Sequence, residues 1–211
     1  MSFDYNILPN IRILLNPNLD CIWINIPKNG SSFVQKVLQD NGWRVPHPNS
    51  HDGLLRSNIR KFFILRNPLE RFISGFAECF IEEPSVLSLL DNPTFLRILA
   101  RNPVYDGHTT QQHLFIPDLR NSEHIFLGSS QPAQRFYYNL QEWVRAMGGQ
   151  TDCGTWKDPA NPKDNDDNKL AINHKLREII GSNKDLKLAI ENFYSQDYDL
   201  LNKVKRVKYD G

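Results

Sequence analysis

Ile24-Asn25-Ile26-Pro27-Lys28-Asn29-Gly30-Ser31-Ser32-Phe33 is a short apolar run that breaks into a Lys/Gly/Ser turn and opens an amphipathic segment. Cys21 to Ile26 favours a strand, and Phe33, Val34, Val37 and Leu38 recur at helical spacing, so the stretch reads as strand, anion-binding loop, helix. The amides of Gly30, Ser31 and Ser32 are then expected at a helix N-terminus. There, N–H groups outside the helical ladder and the positive end of the helix dipole suit a phosphate. Lys28 adds a mobile charge with three donors, and Ser31 and Ser32 add hydroxyls. Taken alone, the same turn also fits an exposed strand–helix corner with a surface lysine.

Working outward, Lys61-Phe62-Phe63-Ile64-Leu65-Arg66-Asn67-Pro68-Leu69-Glu70-Arg71-Phe72-Ile73-Ser74-Gly75-Phe76 repeats the pattern. Phe62 to Leu65 is the continuous apolar run of a buried parallel strand, Asn67 is a candidate helix cap, and Pro68 suits the first helical turn. Leu69, Phe72, Ile73, Phe76 and Phe80 form the apolar stripe of the following helix, which sets Arg71, Ser74 and Glu78 on a different face. Arg66 at the strand end and Ser74 on the helix are expected to converge on one anion. The two junctions lie roughly 40 residues apart, an arrangement that chance produces far less readily than either alone.

The order Lys-x-Gly differs from the common nucleotide loop, in which Lys follows the last Gly and a Mg²⁺-binding hydroxyl comes next. Pro27-Lys28-Asn29-Gly30-Ser31-Ser32 instead resembles the 5′-phosphosulfate loop of sulfotransferases that use 3′-phosphoadenosine 5′-phosphosulfate (PAPS). Arg66 to Phe76 resembles their 3′-phosphate signature, Arg-Asp-Pro-x-x-Arg-x-x-Ser-x-[Tyr/Phe], with Asn67 in the usual Asp place. Asn still caps a helix there but carries no charge.

The resemblance implies transfer of a sulfuryl group from PAPS to a hydroxyl, with no obligatory metal. It gives Lys28 the leaving-group oxygen, Lys28 with Asn29, Gly30, Ser31, Ser32 and Phe33 the 5′-phosphosulfate, and Arg66 with Ser74 the 3′-phosphate. In members resembling the heparan 2-O and 6-O enzymes the general base is a His between the two motifs. Here that position points to His51 first and His47 second, with His108, His113 and Asp52 also considered. The chain after residue 120 resembles the carbohydrate sulfotransferases in pattern, which implies a saccharide acceptor. Gly107-His108-Thr109-Thr110-Gln111-Gln112-His113 lies where those enzymes carry an acceptor-side segment. His108, Gln111 and Gln112 are the candidate acceptor residues, since imidazole and amide groups bond sugar hydroxyls directionally. Two other readings are an ATP-dependent P-loop kinase and a non-catalytic nucleotide or anion binder. The missing Gly-Lys-[Ser/Thr] and the lack of an obvious Mg²⁺-binding Asp after a strand disfavour the kinase.

The remaining sequence predicts one α/β domain over residues 1–211. Strands alternating with helices specify three layers with a mostly parallel central sheet and a P-loop-like phosphate-binding strand–loop–helix, ligands lying beyond the strand C-terminal ends. Ile11 to Leu15 and Cys21 to Ile26 read as strands joined by a turn, residues 42–58 as loop, 85–101 as short helices, and His124 to Gly128 as a strand. A helix is expected from about Pro132 to Met147, then a polar loop over 148–168 carrying Trp156, Lys157 and Lys163, then helices near 172–180 and 184–202. Net charge +1 argues against a nucleic-acid partner, and the basic run from Lys203 to Lys208 reads as a solvated helix end. The absence of a signal-like start and of an 18-residue apolar span predicts a cytoplasmic protein without a membrane span. Cys21, Cys79 and Cys153 show neither disulfide-framework nor zinc-ligand spacing.

Overall fold

Alternation within two consecutive apolar strands builds the centre of the molecule. The computed structural model describes residues 11–127, 133–147 and 166–206. In it, β1 (Arg12–Leu15), β2 (Cys21–Asn25), β3 (Arg60–Arg66), β4 (Ser122–Leu127) and β5 (Lys205–Arg206) form one sheet in that spatial order. β1 pairs antiparallel with β2, and every later pairing is parallel. Asn16 closes the β1–β2 corner by accepting the N–H groups of Asp20 and Cys21 on its side chain, each at 3.0 Å.

Two compact units make up the chain, Met1–Arg66 with Gln112–Lys157 and Leu200–Gly211, and Asn67–Gln111 with Asp158–Asp199. In the first unit, Trp23, Phe62, Ile64 and Ile125 face α1 (Ser31–Asp40) and α6 (Ala133–Ala146), where Val34, Leu38, Leu140 and Trp143 are buried. Trp143 stacks on Phe62 with ring centroids 3.5 Å apart. Ile22, Ile24, Phe63 and Leu65 point the other way, onto Leu55 of α2 (His51–Arg56), Phe115, Leu200 and Val204. A period of two in the strands therefore supplies both faces of a three-layer arrangement, as the apolar runs predict.

The second unit is helical: α3 (Pro68–Cys79), α4 (Val86–Leu89), α5 (Pro93–Arg101), α7 (Asp167–Ser182) and α8 (Lys184–Phe193), with the start of α9 (Ser195–Lys203). Its core joins Phe72, Phe76, Leu99, Ile172, Leu176, Ile190 and Tyr194. Among the described residues no helix is long and apolar enough to cross a membrane.

Three expectations change. Residues 42–58 contain a 3-10 turn, Pro48–Ser50, and then α2, a six-residue helix whose Leu55 is buried. Such a helix is too short to be stable on propensity, so packing of Leu55 decides it. The single helix expected over 184–202 is two, α8 and α9, divided at the buried Tyr194. The basic run after Lys203 is not simply a helix end, because Lys205 and Arg206 pair with Glu123 and His124 of β4. Gly128, Cys153, Trp156, Lys157 and Lys163 lie outside the described residues.

Candidate active site

The loop after β2 is a tight turn followed directly by a helix start. Asn29 donates its N–H to the Ile26 carbonyl (3.3 Å), Pro27 holds the second place, and Lys28 the third with φ +67°. Pro second and a positive φ third are the pattern of a type II turn, where glycine normally sits third. A lysine in the left-handed region is uncommon, and such conformations persist where surrounding contacts impose them. Here the Arg66 guanidinium donates to the Lys28 carbonyl (3.3 Å). Gly30 then takes φ +72° as the cap of α1, a conformation glycine adopts without Cβ strain. Val34 makes the first helical bond back to the Gly30 carbonyl (3.0 Å), so the amides of Gly30, Ser31 and Ser32 lie ahead of the ladder at the positive end of α1. Ser31 is half-buried, Ser32 exposed, and the Phe33 ring lies 6.4 Å from that of Phe136.

Beneath this loop a buried amide pair joins β2 to β3. The Asn29 amide donates to the Ile64 carbonyl and to the Gln112 side-chain oxygen, both at 2.7 Å. That same Gln112 oxygen accepts the Arg66 N–H (3.1 Å), and the Gln112 amide donates to the Arg66 carbonyl (2.9 Å). Asn29 is 1 % exposed and Gln112 not at all. Both are positioning residues, which hold the turn bearing Lys28 against the strand end bearing Arg66. The sequence placed Gln112 in an acceptor-side cluster and Asn29 in the donor loop, and no local pattern reveals that they bond each other across 83 positions.

The histidines between the motifs differ. His47 caps the 3-10 turn, its Nδ1 accepting the Asn49 N–H at 3.3 Å. His51 opens α2, half-buried, with Nδ1 3.4 Å from an Asp52 carboxylate that stands in solvent. Elsewhere in this unit the chemistry is structural. Lys61 is fully buried, its ammonium donating to the Ser57 carbonyl (2.6 Å) and the Arg120 carbonyl (3.2 Å) with Asp118 3.6 Å away. Burial lowers its pKa, and Asp118 opposes that shift. Burial likewise pushes the Cys21 thiol well above its usual range, which makes it an inert core residue.

In the second unit α3 starts as the sequence predicts. The Asn67 side chain accepts the Glu70 N–H (3.2 Å), and Pro68 follows. Ser74 sits half-buried on α3. Arg71, placed by the helical stripe on a face away from the core, is only 1 % exposed. Its guanidinium donates to the Thr110 carbonyl (2.5 Å) and the Gly107 carbonyl (3.3 Å), so its burial answers a loop that helical periodicity cannot foresee. Gln111 donates to the Phe193 carbonyl (2.8 Å), and Tyr194 donates its hydroxyl to the Thr109 carbonyl. His108 is more exposed, its Nδ1 2.6 Å from Asp106.

The chain therefore carries a strained, lysine-bearing turn at a parallel strand's C-terminal end, an arginine at the end of the neighbouring strand, and a separately stapled polar loop. A profile described as the sulfotransferase family matches residues 12–203. No curated protein and no solved structure matches the chain.

Proposed function

The chain belongs to the sulfotransferase family and is an enzyme of that class, and on that premise we propose that it moves a sulfuryl group from PAPS to a hydroxyl of a carbohydrate. The observation that carries this reading is the Lys28–Ser32 loop. Lys28 and Gly30 both take positive φ there, and the amides of Gly30 to Ser32 lie at the N-terminus of α1. In the proposed step the acceptor oxygen forms a bond to sulfur while the bond from sulfur to the bridging phosphate oxygen breaks, and the acceptor proton leaves to His51. Negative charge gathers on the departing phosphate oxygen, where the Lys28 ammonium offsets it, and the loop amides hold the 5′-phosphate. Arg66 and Ser74 are assigned to the 3′-phosphate by their places in the motif. The saccharide assignment rests on the downstream resemblance, because Gln112 is buried and bonded to Asn29 and Arg66, and Gln111 to Phe193.

The 3′-phosphate separates this donor from ATP, so ligand stabilisation is the direct test. Adenosine 3′,5′-bisphosphate at 100 times its dissociation constant is expected to add roughly 2.7 kcal/mol and raise the melting temperature. ADP and ATP with Mg²⁺ should do much less. Equal or larger stabilisation by ATP would overturn the donor assignment in favour of a kinase.

A further inference from the structure

Cys79, Asp106 and His108 come from the end of α3 and from the 102–111 loop, and within the second unit each offers a ligand atom lying no more than 4.8 Å from the other two. The Cys79 thiol donates to Asp106 Oδ1 (3.1 Å), and His108 Nδ1 lies 2.6 Å from Asp106 Oδ2. We propose that these three side chains form a binding site for a thiophilic divalent cation of the zinc type, with a fourth position open to water.

The dimensions agree with that chemistry. Zinc bonds of about 2.3 Å to sulfur and about 2.0–2.1 Å to nitrogen or oxygen make tetrahedral edges of roughly 3.3–3.6 Å. The sulfur–carboxylate distance is already close to such an edge. The imidazole and carboxylate need to part by roughly 0.7 Å, a small motion for two side chains that are each about two-fifths exposed. One thiolate and one carboxylate balance a divalent charge, and the neutral imidazole completes a soft, mixed donor set. Cation binding displaces the thiol proton to solvent.

The backbone that carries the ligands is held in part by Asp106, whose Oδ1 accepts the His108 N–H at 2.7 Å, and in part by groups outside the ligand set. Thr109 Oγ1 accepts the N–H groups of Tyr105 (2.8 Å) and Asp106 (3.2 Å), and the Asp106 carbonyl accepts from Thr109 (3.2 Å) and Thr110 (3.0 Å). Arg71 and Tyr194 bond the carbonyls of Gly107, Thr109 and Thr110. On the facing turn of α3, a Cβ on Gly75 would lie 2.8 Å from the His108 carbonyl carbon, so only glycine permits this approach. A supported backbone with three convergent donors is the arrangement that fixes a metal's ligands before the metal arrives. The cation would tie the 102–111 loop to α3.

Cobalt substitution tests the assignment on the full chain after chelator treatment. Co²⁺ is expected to give one site with a sulfur-to-cobalt charge-transfer band that Zn²⁺ bleaches. Cys79→Ser should remove the band, and Cys153→Ser should keep it. His108→Gln should weaken cobalt binding more than about tenfold. Zn²⁺ should raise the melting temperature of the wild type and not of Cys79→Ser. No band in the wild type, or a band that survives Cys79→Ser, overturns the site and leaves Asp106 as a turn cap only. Should Cys79→Ser fail to fold, His108→Gln decides, since unchanged cobalt affinity in that variant also overturns it.

Discussion

At Lys28 one residue combines a charge with an unfavourable backbone. Its φ of +67° would suit glycine better, and the Arg66 guanidinium on its carbonyl helps to hold it there. The two contributions separate by substitution. Lys28→Ala and Lys28→Gly both remove the ammonium, but glycine also relieves the backbone. If Lys28 acts on the leaving oxygen, both variants lose turnover by roughly 10²–10³-fold, as expected for one transition-state donor, with bisphosphate affinity changed much less. Recovery of turnover in Lys28→Gly alone would mean that the loop's shape, and not the charge, is what the reaction uses. His51→Ala is expected to lower turnover by about 10²–10⁴-fold with bisphosphate binding nearly intact, the signature of a lost general base. A variant within about threefold of wild type passes the role to His47, Asp52 or His108.

At the scale of elements, α3 concentrates several demands in twelve residues. Its first turn depends on Asn67, its middle on Gly75, and its buried face on Phe72 and Phe76. Asn67→Ala is expected to cost about 1 kcal/mol in urea unfolding through loss of the cap, and Asn67→Asp to keep that stability, since Asp caps equally well. Gly75→Ala brings a Cβ against the His108 backbone. Backbone gives way less readily than a side-chain tip, so this variant should cost about 1–3 kcal/mol, more than the lost cap at the upper end. A Gly75→Ala protein as stable as wild type would show that α3 and the 102–111 loop do not approach this closely in solution.

For the molecule as a whole, alkaline stability follows from tyrosines in the helical unit. Tyr105 is 39 % exposed, and the partial desolvation of a ring packed edge-on to Phe76 (5.5 Å) and Phe80 (5.1 Å) raises it to about 12. Burial also raises Tyr194, opposed by Arg71. A phenol whose folded pKa exceeds its unfolded value of about 10 contributes stability that is fully present below about pH 10 and lost as pH climbs through about 12. Alkaline unfolding followed by far-ultraviolet circular dichroism should therefore set in above about pH 10, with late phenolate absorbance appearing alongside it. Tyr105→Phe keeps the ring contacts, removes one ionisation and should move the midpoint upward. An unchanged midpoint would exclude Tyr105 as a determinant of the transition.

Each strand–helix junction was legible in the sequence because its causes are local. The apolar runs at Cys21–Ile26 and Phe62–Leu65, Pro68 after a capping Asn67, and Gly30 ahead of a helical stripe act within a few positions of one another, where backbone preferences and periodicity operate. The family followed from the same two motifs, and the match over residues 12–203 agrees with them. What joins distant positions belonged to the tertiary structure. Gln112 bonds Asn29 and Arg66, Arg71 is buried under the Gly107 and Thr110 carbonyls, and Cys79 meets Asp106 across 27 residues. Burial removes water from such groups and makes an unmade hydrogen bond expensive, so their partners are chosen by where the packed chain brings a donor or acceptor. Local order in the sequence specifies the two strand–loop–helix junctions, and only the packed chain decides short elements such as α2 and β5 and which polar atoms the elements bring together.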